Sequence, residues 1–249
     1  MILEGRNEAL EYIVSGETEE KMEFLVCMIR AGALNDEIQE IIGTSGEPGR
    51  KLLKEEYGKA DEARTAAMYS ALAVFEEYEA NGNVSAPTLQ AFEDDVGRLR
   101  SALDRFADVY RATLPDDGRD LSGDAAAAVT LLAMQEELLE SIGESYKYVI
   151  LGNVEEKEKF SAGMDRFAAG AEAFNATAYL HAGGNAAVAG EYQAMMVAVA
   201  EYRSATDAFF SVYERDGWIS PEAFHTYEDA VDEMRTAYGV LMASVLANT

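Results

Sequence analysis

The stretch EYIVSGETEEKMEF, residues 11–24, returns almost intact as KYVILGNVEEKEKF at residues 147–160. Tyr12, Gly16, Glu19, Glu20, Lys21 and Phe24 align with Tyr148, Gly152, Glu155, Glu156, Lys157 and Phe160, 136 residues later; Met28 and Arg30 align with Met164 and Arg166. Further along the spacing becomes 135: Tyr78 meets Tyr213, Gly82 meets Gly217, Ser85 meets Ser220, Glu93-Asp94 meets Glu228-Asp229, and Arg100 meets Arg235. A duplication on this scale constrains the fold more than any composition does, because whatever one copy forms the other must form as well.

The repeated unit reads as three helices. Apolar residues recur at three-four spacing in Leu89, Phe92, Val96, Leu99, Leu103, Phe106 and Tyr110, and again in Phe224, Tyr227, Val231, Met234, Tyr238, Leu241 and Val245. That alternation is the seam of a helical bundle. Ser85 and Ser220 stand where N-caps belong, Val84 with Leu89 and Ile219 with Phe224 are spaced as hydrophobic staples, and Pro221 suits a first helical position. The chain is therefore expected to be all-α, with six helices over about 3–42, 52–81, 86–113, 123–182, 189–215 and 220–247. Breaker-rich segments (43–50, 113–124 and 181–190) and two short turns separate them.

The fourth helix, if continuous, is ~90 Å long at the α-helical rise. A rod of that length has to serve two bundles. Gly16 and Gly152 then mark where a long helix passes from one bundle to the next, with Asn153 and Glu156 placed as a capping box for a kink or restart. The expected architecture is two long and four short helices in two stacked four-helix bundles. One module would comprise residues 16–152, the other residues 1–15 plus 153–249. The start, 3–15, is short beside 123–150, as expected of a chain cut just after a membrane helix.

This pattern resembles the helical bimodular sensor domain of chemoreceptors and sensor histidine kinases. The Tyr-x-x-x-Gly-x-x-Glu stretch is similar to a segment common in the first helix of four-helix-bundle receptor domains. The resemblance spans essentially the whole chain. It implies an extracytoplasmic ligand-binding region, homodimeric in the intact receptor, joined to the membrane only through flanking helices. It also implies a small organic ligand, such as an organic acid, held between helices.

Charge narrows the partners. The chain has 46 acidic and 20 basic residues, a formal net charge of −26, so nucleic acid and anionic lipid are repelled. Its 49% apolar content argues against disorder. A single cysteine, Cys27, excludes an internal disulfide and any Cys-rich metal site. The two histidines, His181 and His225, form no Glu-x-x-His motif, and no glycine-rich loop follows a strand. No catalytic residue, cofactor or metal ligand set is expected.

Polar side chains on an otherwise apolar seam are the informative ones. Arg64, on a face with Tyr57, Met68, Ala71 and Phe75, has the fork that suits a carboxylate. Asn35 on the first helix and Gln135 on the fourth face the same expected cavity. The second module offers Arg203, Tyr202 and Thr206, with hydroxyls from Tyr227 and Tyr238. Each also has a plain structural role open to it: snorkelling, fixing helix register, or filling the core with the hydroxyl at its edge. Arg30, Arg166 and the Glu-Glu-Lys triplets read as surface charge.

Two other function classes remain open. A cytosolic, PhoU-like regulator also has two three-helix repeats, and there Glu93, Asp94, Glu228 and Asp229 would present carboxylates to metal ions. An acidic helical scaffold would instead bind partner proteins on its surface.

Overall fold

The computed structural model describes residues 2–33, 42, 47–113, 123–175 and 186–247. They are all-helical, in eight helices: α1 (Ile2–Ser15), α2 (Thr18–Ala33), α3 (Glu47–Asn81), α4 (Ala86–Thr113), α5 (Gly123–Leu151), α6 (Val154–Asn175), α7 (Ala186–Asp216) and α8 (Pro221–Ala247). Two compact units divide the chain, Met1–Asp117 and Gly118–Thr249. No described helix is long and apolar enough to cross a membrane.

The helix count and the boundaries differ from the expected six helices and from modules at 16–152 and 1–15 plus 153–249, and one backbone event accounts for both. Gly16 and Gly152 adopt φ of +74° and +66°, the left-handed region that a Cβ disfavours. Their amide N–H groups donate to the carbonyls of Tyr12 and Tyr148 at 2.8 and 2.7 Å, which closes a left-handed C-terminal cap. The chain then doubles back. Asn153 starts α6 with its side-chain oxygen accepting from Glu155 N at 3.1 Å, and α6 packs along α5 as α2 packs along α1. The described part of that stretch, residues 123–175, is thus a hairpin, and no ~90 Å rod forms within it.

The same turn recurs at Gly82 and Gly217, whose N–H groups reach the Tyr78 and Tyr213 carbonyls at 2.7 and 2.8 Å. Each unit is therefore two hairpins face to face: α1/α2 with α3/α4, and α5/α6 with α7/α8. Ser220 caps α8, accepting from Ala223 N at 3.2 Å. The hydroxyl of Ser85 turns instead to Glu77 and Thr88.

A clasp formed by the repeated residues holds the turns of each unit together. In the first unit Tyr12 Oη donates to Glu79 at 3.1 Å, and Lys21 pairs with the same carboxylate. In the second, Tyr148 Oη donates to Glu214 at 2.9 Å and Lys157 pairs with Glu214. Each lysine also lies over two rings, Lys21 over Tyr12 and Phe75, Lys157 over Tyr148 and Phe210. Beneath them Phe24 meets Phe75 edge-on at 5.3 Å, as Phe160 meets Phe210 at 5.4 Å. Burying one such phenylalanine contributes ~2–3 kcal/mol. The lysines of the Glu-Glu-Lys triplets are therefore ties between hairpins rather than plain surface charge.

Candidate functional site

The second unit gathers hydroxyls in its interior. Tyr202 and Thr206 come from α7, Tyr227 from α8, and Ser145 and Tyr146 from α5; all five are buried. Tyr227 Oη and Ser145 Oγ share a hydrogen bond of 2.5 Å. Thr206 Oγ1 donates to the Tyr202 carbonyl at 2.8 Å, a bond within its own helix. The Tyr202 hydroxyl, fully enclosed, has no hydrogen bond of ordinary length and angle, although the hydroxyls of Tyr227, Thr206 and Ser145 stand close to it. The hydroxyls of Tyr227, Thr206 and Ser145 lie near enough to favour its ionised form slightly, yet burial dominates and pushes the phenol well above its ordinary range. The Arg235 guanidinium acts on it in the same sense as those hydroxyls.

Aromatic faces close the cluster. Phe209 stacks on Tyr227 at 4.4 Å, Tyr146 meets Tyr227 edge-on at 5.4 Å, and Phe160 meets Tyr202 at 6.1 Å.

The first unit shows what this position looks like without hydroxyls. Tyr202, Thr206 and Tyr227 correspond to Ala67, Ala71 and Phe92; Ser145 and Tyr146 correspond to Ala9 and Leu10. All five counterparts are buried and apolar. The architecture accordingly does not need polar groups at this level of the bundle. A buried hydroxyl without a hydrogen bond costs ~1–3 kcal/mol, so the polar set in the second unit carries a cost that the first avoids.

The other expected positions fall elsewhere. Arg64 falls between Ala60, Ala67 and Ala71 on the same helix face, but it is only half-buried, and its guanidinium bonds Asp61 of the same helix at 2.7 and 3.1 Å. Arg203 is exposed. Tyr57 packs its ring edge-on against Phe106 at 6.1 Å. Gln135 is half-buried on α5, and Tyr238 donates to the carbonyl of Leu131 on the same helix. Asn35 lies outside the described residues. The structure therefore joins Tyr202, Thr206 and Tyr227 and leaves Arg64 and Arg203 apart from them. Ser145 and Tyr146 were not foreseen from the sequence. The signal that reveals them is the list of positions where the two copies disagree.

A groove of about 870 Å³ runs between α3 and α4, lined by Lys59, Glu62, Ala63, Arg98 and Arg105 among others. Its cations are already paired: Lys59 with Glu55 and Glu56, Arg98 with Asp95, and Arg105 with Glu56. Of the carboxylates that a PhoU-like reading would assign to metal, Glu93 accepts from Arg6 at 3.0 Å and Asp94 from Gln90 at 2.9 Å. Glu228 lies 3.2 Å from His225 Nδ1, and Asp229 is exposed.

Carboxylate oxygens of Glu8, Glu20 and Glu23 approach within 4.8 Å of one another. Burial, then the charges of Glu11 and Glu8, push the Glu20 carboxyl up to about 9, with a hydrogen bond to Glu8 acting in the same direction. A shared proton satisfies that arrangement. The counterpart Glu156 is also buried, which opposes its charge. The Glu144 hydrogen bond and the Lys147 and Lys159 ammoniums outweigh burial and hold it down to about 2.

No protein-family model, curated protein or solved structure matches the chain.

Proposed function

We propose that the chain is a non-catalytic, small-molecule-binding domain, and that its site is the hydroxyl cluster of the second unit. The observation that carries this is the contrast between the copies. One fold packs Ala67, Ala71, Phe92, Ala9 and Leu10 at these positions, and the other keeps Tyr202, Thr206, Tyr227, Ser145 and Tyr146, with one phenol unbonded. A group that lowers stability in one copy and is dispensable in the other is most simply retained for recognition.

The lining donates and accepts hydrogen bonds, with Arg235 the cation whose field reaches Tyr202. It suits a small molecule rich in hydroxyl or carboxyl oxygens, the organic acids included. Such a ligand would bridge α5 on one side and α7 and α8 on the other, and would favour one angle between the two hairpins. In a transmembrane chemoreceptor or sensor kinase, that angle is the signal. The domain would be the extracytoplasmic part, each unit one of its two helical modules, acting as a homodimer. Transmission would pass through hinged hairpins rather than a shared rod.

Calorimetry on the full chain, against small organic acids and against neutral polyols, tests the reading. One class should bind. Tyr202→Ala with Thr206→Ala, which installs the residues of the first copy, should weaken that binding at least ~10-fold, about 1.4 kcal/mol. Silence from both classes, or unchanged affinity in the double variant, removes the reading.

A further inference from the structure

The duplication also marks a surface. On α2, Met22, Val26 and Ile29 are 54%, 39% and 69% exposed. Their i, i+4, i+7 spacing sets them in one ridge along the helix. The corresponding residues of α6 are Glu158, Ala162 and Asp165, and all three are exposed. The two helices hold the same place in their units, each returning along its hairpin partner and contributing Phe24 or Phe160 to the clasp. An outward ridge of Glu, Ala and Asp therefore satisfies the fold. The apolar version on α2 costs solubility and gives nothing to the interior of its own unit.

We propose that the Met22–Val26–Ile29 ridge is the docking surface for a basic amphipathic helix of a partner protein. The occupant follows from charge. Glu19 and Glu23, both exposed, flank the ridge on its own helix and outnumber Arg30, the exposed cation beside Ile29, within a chain of formal net charge −26. A second copy would bring a net charge of the same sign, with two acidic flanks to one basic on each ridge, and an anionic bilayer would be repelled in the same way. A helix with an apolar stripe bordered by lysine or arginine meets both features at once. Its stripe covers Met22, Val26 and Ile29, and its cations face Glu19 and Glu23. This surface is independent of the hydroxyl cluster, so either assignment stands if the other fails.

The probe is a synthetic amphipathic helix of about 18 residues with a leucine stripe and lysine flanks, compared with a twin carrying glutamate flanks. Fluorescence anisotropy with the full chain should show the lysine peptide binding and the glutamate twin not binding, with affinity falling as salt rises. Met22→Glu, Val26→Ala and Ile29→Asp together copy the surface of α6. They should weaken binding of the lysine peptide at least ~20-fold, about 1.8 kcal/mol, and leave the helical circular dichroism unchanged. The reverse exchange, Glu158→Met, Ala162→Val and Asp165→Ile, should add a second binding site to the chain. Equal binding of the lysine peptide to the wild type and to the α2 variant overturns the proposal, since attraction is then purely coulombic. So does dimerisation in sedimentation equilibrium that the α2 variant abolishes, or binding to phosphatidylcholine vesicles that it abolishes. Those results assign the ridge to a second copy or to a lipid surface.

Discussion

Gly152 lies under the phenol of Tyr213 so closely that a Cβ added to it would stand 2.9 Å from the hydroxyl oxygen. Gly16 has the same relation to Tyr78, at 3.2 Å. The glycine at the turn of the first hairpin is thereby roofed by the tyrosine that begins the turn of the second. Tyr148 meets Tyr213 edge-on at 5.5 Å, and Tyr12 meets Tyr78 at 5.3 Å.

Gly152→Ala should therefore destabilise for two reasons, a left-handed φ and a crowded Cβ. The first alone costs ~1–2 kcal/mol. Gly16→Ala shares the φ but has more room, so urea melts should rank Gly152→Ala as the more damaging. Adding Tyr213→Phe to Gly152→Ala should recover part of the loss. Tyr213→Phe that worsens the loss would show that the hydroxyl is not what crowds the turn.

Removal of the unbonded hydroxyl separates two kinds of buried phenol. Tyr202→Phe deletes a group with no hydrogen bond, so the melting temperature should stay level or rise by a few degrees. Tyr227→Phe breaks the bond to Ser145 and should lower stability by ~1 kcal/mol. A drop of that size in Tyr202→Phe would mean that the Tyr202 hydroxyl is satisfied in solution.

The two buried glutamates predict opposite pH responses. Glu20 has a folded-state value raised to about 9, so the folded chain holds a proton that the unfolded chain has released above ~4.5. Its contribution to stability is complete below that unfolded value and lost as pH climbs towards 9. Glu20→Gln should raise the melting temperature at pH 8 by a few degrees, the scale of ~1–2 kcal/mol, and have little effect at pH 4. Glu156, lowered to about 2, contributes above ~4.5 and loses that contribution as pH falls towards 2. Glu156→Gln should therefore destabilise at pH 7, with the penalty shrinking in acid. Thermal melts of both variants across pH 3–9 check the two signs together.

Alkaline titration reports on the clasp. Burial, then the Glu214 carboxylate, pushes Tyr148 up to about 12. Glu214→Gln removes the charge, so one tyrosine should ionise earlier in the ultraviolet difference spectrum. An unchanged titration curve would place Tyr148 away from Glu214.

Much of this was legible in the sequence, and what was not has physical causes. Three-four spacing located the seam of α4 and α8, and Leu89, Phe92, Phe224 and Tyr227 are buried as that spacing requires. The repeated Tyr-x-x-x-Gly stretch marks Gly16 and Gly152 as points where a long helix passes on, with a kink or a restart. It did not reveal the direction of the chain beyond them, because a glycine before an acidic first turn suits a kink as well as a reversal. The reversal depends on a left-handed φ and on a tyrosine roof contributed by another hairpin. Arg64 keeps the spacing of the seam, yet its guanidinium turns to Asp61 three residues back, a side-chain choice that spacing alone does not encode. Tyr202, Thr206 and Tyr227 stand out in the sequence as polar residues on apolar faces, and all three are buried. Ser145 and Tyr146 follow only when α5 is aligned with α1, where Ala9 and Leu10 mark those positions as places that need no polarity.

The left-handed turns at Gly16 and Gly152 leave the backbone in one and the same state at two points 136 residues apart. Each joint is closed by a carbonyl and a roofing tyrosine of its own copy, so the repeated length carries everything the reversal needs.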